Sequence, residues 1–336
     1  MWPRSIRSRL PALCAISISM AGLCGAAGAF DLQGHRGARG LSPENTLPAF
    51  ATALGIGVST LEMDVGVTAD GVPVVSHDRR LMPHLARGPE GAWLNRPGPA
   101  INNLNLADLQ TYDVGRLNPA SAYARNYPDQ QPVDGTRIPT LAAVIALAAR
   151  AGNSHVRFNI ETKLSPHAPD ETPAPEAFAA AVIAVLRAEG VAARSTIQSF
   201  DWRTLKAVQA QARDITTSCL TMEQPEFDTI QRGRDGASPW TAGLDVDDHG
   251  GSAPRLVKAA GCREWSAFYR DLKPQSVAEA KRLGLRVLAW TVNDSPGMER
   301  MMNMGVDGII TDHPERLRRI VEARGLPLPT PTPVTP

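Results

Sequence analysis

The 336-residue chain has few cysteines, few aromatic residues and almost no net charge. Four cysteines in a chain of this length are too few to be the framework of a disulfide-built scaffold. An aromatic content of 5% and a formal net charge of +1 leave neither the basic stripe nor the stacking platform of a nucleic-acid-binding protein. Beyond the N-terminal region, no stretch approaches the roughly 20 apolar residues of a membrane span. The composition therefore predicts a soluble globular protein with no nucleic-acid partner and no stable membrane anchor.

The N-terminal segment, residues 1–29, has the pattern of a cleaved signal peptide. Three arginines form a basic start, an apolar run follows from Leu10 to Leu23, and Ala27-Gly28-Ala29 makes a small-residue cleavage site. The apolar run is too short for a membrane anchor, and Leu23 before Cys24 is bulkier than lipoprotein processing usually accepts. We therefore expect an exported protein, either periplasmic or secreted.

Two cysteines, Cys219 and Cys262, remain once this segment is removed. An oxidising compartment permits a disulfide between them. Their predicted places argue against one, because Cys219 lies toward the C-terminal end of one strand and Cys262 precedes the next, an offset of about four residues at ~3.3 Å each. A disulfide needs Cα atoms within roughly 7 Å of each other. The sequence therefore predicts two unpaired cysteines.

Predicted strands and helices alternate along the rest of the chain, which indicates a parallel sheet. Eight strands are predicted, each followed by a helix or by a loop that contains one, so the expected fold is a (β/α)8 TIM barrel. An open doubly wound sheet is the alternative, and the lack of a glycine-rich dinucleotide fingerprint disfavours it. We expect the barrel domain to cover residues 30–326 and the Pro-rich end, 327–336, to be disordered or extended.

An insertion is predicted after the second strand. That strand, Thr60 to Val65, is followed by an Asp-Gly turn and a second extended run that ends at Asp78, which is typical of a hairpin. Residues 79–137 then contain seven prolines and little periodicity. They are too weakly apolar for an independent core. We expect them to cover the mouth of the barrel, with one short helix near residues 106–112.

Acidic side chains interrupt two of the predicted barrel strands. Glu62 and Asp64 are two residues apart and share a strand face, and Glu161 and Lys163 repeat the spacing on the next barrel strand. Buried carboxylates are costly unless something compensates them, and one lysine leaves excess negative charge. A bound divalent cation would resolve this, and oxygen ligands favour Ca²⁺ or Mg²⁺. The alternative is an ion-pair network with Lys163 and Arg36.

Two histidines are predicted at the same end of the barrel. His35 and Arg36 follow the first strand, and His77 can return to the end of the strand that carries Glu62. Ligands bind at the C-terminal ends of strands in α/β proteins. Histidine titrates near neutrality, so a pair beside a metal-bound ester can donate and accept protons. Trp290, on the seventh strand, either lines such a pocket or fills the barrel.

An ordered series of motifs resembles the glycerophosphodiester phosphodiesterase family. The motifs span most of the chain after the signal peptide. They are HRG at 35–37, PENT at 43–46, LEMDV at 61–65, SHD at 76–78, NIETK at 159–163, SFD at 199–201, AWTVN at 289–293 and DGIITDHP at 307–314. A lone HRG would be weak, whereas the whole series is specific. The resemblance implies a TIM barrel with an inserted segment after the His-Asp motif.

The resemblance also implies roles for individual residues. The divalent cation, Ca²⁺ or Mg²⁺, would be bound by Glu62, Asp64 and Glu161. The acid and the base would be His35 and His77. The phosphate oxygens would be held by Arg36 and Lys163, and the glycerol side would be lined by Trp290. The insertion 79–137 matches no pattern of the family.

The expected reaction is metal-assisted hydrolysis of a small glycerophosphodiester to sn-glycerol 3-phosphate and an alcohol. The nucleophile, water or a substrate hydroxyl, stays open, as does the oligomeric state. One alternative is a lysophospholipase D-like enzyme on the same barrel, which predicts a wide apolar mouth. The other is a non-catalytic phosphodiester-binding protein, whose mark would be the loss of His35 or His77, and both are present.

Overall fold

The computed structural model describes residue 1 and residues 29–336. The predicted signal peptide therefore lies, but for its two ends, outside the described residues. Among the described residues, eight strands form the barrel and three short strands lie outside it. In chain order they are β1 (Asp31–Gly34), β2 (Thr60–Val67), β3 (Pro73–Val75), β4 (Arg157–Thr162), β5 (Ser195–Ser199), β6 (Thr216–Thr221), β7 (Glu223–Gln224), β8 (Phe227–Asp228), β9 (Glu264–Phe268), β10 (Arg286–Trp290) and β11 (Gly308–Thr311).

The barrel strands are all parallel and close on themselves, which confirms the predicted (β/α)8 barrel. Their order is β1-β11-β10-β9-β6-β5-β4-β2, and β2 pairs with β1. Strand β3 pairs antiparallel with the end of β2, so the predicted hairpin is present. It returns the chain to the C-terminal end of the barrel, where His77 follows.

The interior of this barrel is unusually polar. Barrel interiors are ordinarily filled with branched apolar side chains. Here Asn159 on β4 donates to Gln33 on β1 at 2.9 Å, and Gln198 on β5 donates to Glu62 on β2 at 2.9 Å. Neither pair joins neighbouring strands, so both bonds cross the interior. The apolar core lies instead between the outer face of the barrel and the helices, where Met63 and Phe158 are fully buried.

Nine helices are described, and the longest ones alternate with the barrel strands as predicted. They are α1 (Leu47–Ile56), α2 (Leu106–Leu109), α3 (Leu141–Arg150), α4 (Pro175–Ala188), α5 (Trp202–Gln211), α6 (Ala253–Ala259), α7 (Pro274–Arg282), α8 (Ser295–Met304) and α9 (Pro314–Ala323). Side chains cap several N-termini, for example Thr46 at α1 and Asp201 at α5. No helix in the described part of the chain is both long and apolar enough to cross a lipid bilayer.

The insertion, residues 79–137, is mostly irregular, and its predicted helix is the short α2. It has a small apolar cluster of its own, which shares two residues with the segments on either side. The buried members are Val74, Leu81, Ala86, Ile101, Leu109, Val114 and Ile138. Because the cluster includes Val74 and Ile138, the insertion is packed onto the barrel rather than folded apart from it.

The cysteine prediction is wrong, because Cys219 and Cys262 form a disulfide with Cα atoms 5.9 Å apart. Strands β6 and β9 are neighbours, with Cys219 opposite Trp265. The prediction treated both cysteines as lying on extended strands and estimated their separation from the rise per residue. Cys262 instead lies in the turn between α6 and β9, and this turn brings its side chain to the buried outer face of β6.

The Pro-rich end of the chain is extended and lies against the N-terminal end of the barrel. The amide of Thr332 donates to the carbonyl of Leu54 at 2.9 Å, and Arg318 donates to the carbonyl of Pro329 at 2.8 Å. Extension was one of the two states that the sequence left open.

Candidate active site

The predicted site residues converge at the C-terminal ends of the barrel strands. Glu62 and Asp64 lie on β2, Glu161 lies on the adjacent β4, and the register places Asp64 beside Glu161. His35 follows β1, which pairs with β2 on its other side. The parallel barrel therefore gathers side chains that are more than a hundred residues apart in sequence at one rim.

The three carboxylates can hold a metal ion. One oxygen of each residue, Glu62, Asp64 and Glu161, lies within 4.8 Å of the others, and all three are buried. Asp64 Oδ1 is buried and has no hydrogen-bond partner among the described residues. The donor set is all oxygen, which suits a hard divalent cation. The residues present thus fit the predicted group.

Burial and mutual repulsion act on the protonation of these carboxylates. Burial and the neighbouring Asp64 raise the pKa of Glu62 well above its usual range. Burial and Asp64 also raise the pKa of Glu161, to about 7, against the lowering effect of Lys163. For Asp64 itself, the attraction of Arg36 and Lys163 outweighs burial, so its pKa lies well below the usual range. One strongly acidic carboxylate thus sits between two that hold protons more readily.

The two predicted phosphate-binding cations contact these acids. Lys163 Nζ donates to Glu161 Oε1 at 2.6 Å and lies 3.5 Å from Asp64 Oδ1. Arg36 Nη1 donates to Glu44 Oε1 at 2.6 Å, and Arg36 Nε lies 3.1 Å from Asp64 Oδ2. The ion pairs that the sequence offered as an alternative therefore exist. With all four carboxylates ionised, these two cations would leave excess negative charge, and burial together with this excess raises the pKa values of Glu62 and Glu161.

The loop after β1 directs hydrogen-bond donors toward the carboxylates. Arg36 has a positive φ of 50°, a conformation that costs energy for a residue with a side chain. In this conformation its amide donates to Glu62 Oε2 at 2.9 Å. Asn45, with φ 56°, donates through its side chain to Asp64 Oδ2 at 2.9 Å. Two of the four non-glycine residues with positive φ in the described part of the chain are thus the ones that orient the carboxylates.

His35 is held in one orientation by a carboxylate that the sequence analysis did not assign. Its Nδ1 lies 2.6 Å from Asp312 Oδ1, and Arg39 contacts both Asp312 oxygens, at 2.9 and 3.1 Å. Nδ1 therefore donates to the carboxylate, and Nε2, which lies 3.9 Å from Glu62 Oε2, is the nitrogen that faces the acids. Burial and Arg39 lower the pKa of His35 to about 4.

His77 has a looser environment. Its Nδ1 lies 3.2 Å from the carboxylate of its own neighbour, Asp78, and its side chain is 32% exposed. Burial lowers its pKa, and the charges of Arg36 and Lys163 lower it further. His77 lines the same cleft as Glu161 and Lys163. His35 thus lies beside Glu62, and His77 faces the cleft that Glu161 lines.

Aromatic side chains form one wall of this cleft, which has a volume of about 670 Å³. Trp290 packs edge-to-face on Phe200 at 5.4 Å, so it lines the pocket and does not fill the barrel. The wall continues through Phe227 and Trp240, whose rings are 5.2 Å apart. These two lie in the segment between β6 and α6, where the sequence showed no regular pattern.

Sequence reasoning missed Asp312, Arg39 and Glu44 as parts of the site. Asp312 and Glu44 stand inside the motifs DGIITDHP and PENT, so a signal was present, but the motifs served only to carry the resemblance. Arg39 stands four residues after His35, in no motif. Its role depends on the turn that brings it back onto His35 Nδ1, at 3.2 Å.

The fold and the site define a barrel enzyme of the phosphodiesterase class, since the buried acids, cations and histidines meet where such barrels perform their chemistry. Comparison with known proteins specifies the family. The family model described as "Glycerophosphoryl diester phosphodiesterase family" matches residues 35–316. The chain belongs to this family.

Individual relatives agree with this assignment. A glycerophosphodiester phosphodiesterase of Caldanaerobacter subterraneus is 28% identical over 87% of this chain and 97% of its own. A solved structure from Silicibacter pomeroyi, assigned to the same activity, is 38% identical, covers 89% of this chain and 95% of its own, and superposes with a TM-score of 0.79. An Oleispira antarctica phosphodiesterase, solved with the product sn-glycerol-3-phosphate, shares the fold at 23% identity and a TM-score of 0.63, over 88% of this chain and 97% of its own.

Proposed function

We propose that the protein hydrolyses glycerophosphodiesters to sn-glycerol 3-phosphate and an alcohol, with a divalent cation, Ca²⁺ or Mg²⁺, held by Glu62, Asp64 and Glu161. The observation that carries the proposal is the cluster of these buried carboxylates with Arg36, Lys163 and His35 at the rim of the barrel, beside the cleft that His77, Glu161 and Lys163 line. The product found in the Oleispira antarctica relative supports the same substrate class.

The charge balance supports the cation. Glu44, Asp64 and Glu161 pair with Arg36 or Lys163, whereas buried Glu62 accepts from the Arg36 amide and from Gln198 and has neither cation as an ion-pair partner among the described residues. Uncompensated buried charge costs several kcal/mol, on the order of the penalty for an unpaired ion in a protein interior. When bound, a divalent cation supplies Lewis-acid polarisation of a phosphoryl oxygen.

The side chains of the protein then have separate tasks. Arg36 and Lys163 attract the phosphate oxygens, and Arg36 is kept in place by Glu44. Asp312 keeps His35 Nε2 free of its proton, so this atom can take one from a hydroxyl or, once protonated, return it. One histidine removes the proton of the nucleophile, water or a substrate hydroxyl, and the other protonates the alcohol that leaves.

The first test is the release of sn-glycerol 3-phosphate from glycerophosphocholine. We expect chelator-treated protein to be inactive and Ca²⁺ or Mg²⁺ to restore the activity. Glu62→Gln should raise the metal concentration needed for half-maximal activity. Glu264→Gln is the matched control, because Glu264 is also buried inside the barrel but bonds Arg286, at 2.7 Å, at the opposite end. Full activity of protein shown by elemental analysis to be free of metal would refute the metal proposal.

A second candidate, a lysophospholipase D-like activity, is favoured by one observation. Phe200, Phe227, Trp240 and Trp290 give the cleft the apolar wall that this reading predicts. The wall comes from the segments after β5 and β6 and from the last residue of β10, not from the insertion. If lysophosphatidylcholine is cleaved to lysophosphatidate with a higher kcat/KM than glycerophosphocholine, and Trp240→Ala removes that preference, the second candidate replaces the first. A non-catalytic binding protein would cleave neither.

Export also remains part of the proposal. The Cys219–Cys262 disulfide supports it, because disulfides persist in oxidising compartments. N-terminal sequencing of protein recovered from the periplasm or the medium should find Phe30 as the first residue. Retention of Met1 in the cytoplasm would contradict export.

A further inference from the structure

The insertion does more than cover the barrel mouth, because it places a tyrosine hydroxyl among the charged groups behind the site. Tyr123 donates to Glu44 Oε2. Its oxygen accepts from Arg39 Nη1 at 3.0 Å and lies 3.5 Å from Arg36 Nη1. A single phenol from residues 79–137 therefore touches the arginine proposed to hold phosphate and the arginine that supports Asp312.

These contacts join two parts of the catalytic arrangement. On one side, Glu44 and Tyr123 fix the guanidinium of Arg36. On the other, Arg39 continues to Asp312, and Asp312 continues to His35 Nδ1 at 2.6 Å. The chain of bonds from Tyr123 to His35 has no gap, and each member except Tyr123 is buried.

The electrostatics explain why a neutral group is needed at this place. Arg36 and Arg39 are like charges that share the phenol oxygen as an acceptor. Burial and the adjacent Glu44 raise the pKa of Tyr123, so it stays a neutral phenol that can accept from the arginines while it donates to Glu44. Its hydroxyl thus keeps the two guanidinium groups apart and directs each toward its own carboxylate.

The insertion is also fastened to the same loop at other points. The ring of Tyr127 lies 4.8 Å below the guanidinium of Arg39, and Gln130 donates to the carbonyl of Arg39 at 2.8 Å. Gln131 donates its amide to the carbonyl of Leu41 at 2.9 Å. The segment 123–131 is therefore held in register with the loop that carries His35 and Arg36.

We propose that Tyr123 is a positioning residue for the phosphodiesterase reaction, which acts through Arg39 and Asp312 on the orientation of His35. The inference rests on the proposed function. Through the hydroxyl oxygen of Tyr123, the insertion would then contribute directly to catalysis as well as cover the mouth of the barrel.

The test compares Tyr123→Phe with Tyr127→Phe in the full-length protein. Both changes remove one hydroxyl and keep a ring, but the Tyr127 hydroxyl makes no hydrogen bond among the described residues, whereas the Tyr123 hydroxyl makes three contacts. We expect Tyr123→Phe to lower kcat about tenfold or more, as removal of groups that orient a reacting side chain does. KM should change less than about threefold, and Tyr127→Phe should match the wild type.

A double-mutant cycle tests the route of the effect. If Tyr123 acts through Asp312, Tyr123→Phe should cost less than about twofold in kcat once Asp312→Asn is present, since residues of one network are not additive. Equal kcat for Tyr123→Phe and Tyr127→Phe, or full additivity with Asp312→Asn, overturns the inference. The inference is also overturned if Tyr123→Phe and Tyr127→Phe both lose thermal stability and kcat in parallel. An inactive wild type would instead contradict the proposed function itself.

Discussion

The two histidines of the site differ in how firmly the protein holds them. The His35 side chain is 11% exposed and is hydrogen-bonded to Asp312. Asp312 in turn accepts hydrogen bonds from two nitrogens of Arg39. The His77 side chain is 32% exposed, and its one side-chain hydrogen bond among the described residues is to the carboxylate beside it in sequence, Asp78. His35 follows β1, a parallel strand of the closed barrel, whereas His77 follows the short antiparallel strand β3.

This difference suggests a division of labour. A buried imidazole with a fixed tautomer suits a step whose reacting group is always held in the same place, beside the carboxylate cluster. An exposed imidazole beside the open cleft can serve groups that vary in size and must come and go. The comparison makes predictions that separate the two residues even though both are histidines.

The largest effect is expected from removing either ring. His35→Ala and His77→Ala should each lower kcat by roughly 10²–10⁴-fold, the usual contribution of a general acid or base. Added imidazole should restore part of the activity of His77→Ala, because the cleft is open there, and none of His35→Ala, whose site is closed by Asp312 and Arg39. Rescue of both variants to the same extent would remove the proposed contrast.

The next effect concerns the carboxylate partners. Asp312→Asn should lower kcat by about 100-fold or more, because an amide cannot select the tautomer that leaves Nε2 unprotonated. Asp78→Asn should lower it less than about fivefold, since Asp78 is 30% exposed and its contact with His77 is 3.2 Å long. Steady-state kinetics on glycerophosphocholine measure both. A larger loss for Asp78→Asn would mean that His77 is the more tightly positioned of the pair.

The third prediction concerns stability against pH. The pKa of His35 is lowered from 6.5 to about 4 in the folded protein. Between these values the unfolded chain binds a proton at His35 that the folded chain does not, so the contribution of His35 to the free energy of unfolding falls as the pH drops from 6.5 to 4. The contribution is roughly 3 kcal/mol. The raised pKa of Glu161 acts in the opposite direction.

Urea unfolding at pH 7 and pH 5 measures about 2 kcal/mol of the loss at His35, because pH 5 still lies above the folded pKa of about 4. His35→Asn should make the difference between the two pH values smaller, and His77→Asn should do so to a lesser degree, because its more exposed ring meets a smaller penalty. A pH dependence unchanged by His35→Asn would show that the imidazole is not kept neutral by the fold.

Sequence reasoning reached the barrel and the carboxylates because both follow local rules. The alternation of strands and helices, and the spacing of Glu62 and Asp64 on one strand face, depend only on near neighbours in the chain. The disulfide depended on the path of one turn before β9, which no pattern encodes. Asp312 and Tyr123 acquire their roles only when the barrel closes β11 against β1 and the insertion folds back onto the loop after β1.

The smallest expected effect concerns the alcohol that leaves on the open side. In the proposed mechanism Arg36, Lys163 and the carboxylates bind the phosphate and the divalent cation. The cleft beside His77 ends in an aromatic wall, and the charged side chains at its rim, Arg79, Arg80 and Glu171, pair with one another. Specificity requires contacts that differ between substrates. Glycerophosphocholine, glycerophosphoethanolamine and glycerophosphoglycerol should therefore be cleaved with kcat/KM values within about tenfold, or ~1.4 kcal/mol in transition-state binding. Bis(p-nitrophenyl) phosphate, which lacks glycerol, should be a poor substrate. A strong preference for one of the three head groups would mean that Arg79 and Arg80, which share Glu171 at the rim of the cleft, select the alcohol and that the His77 side is as specific as the His35 side.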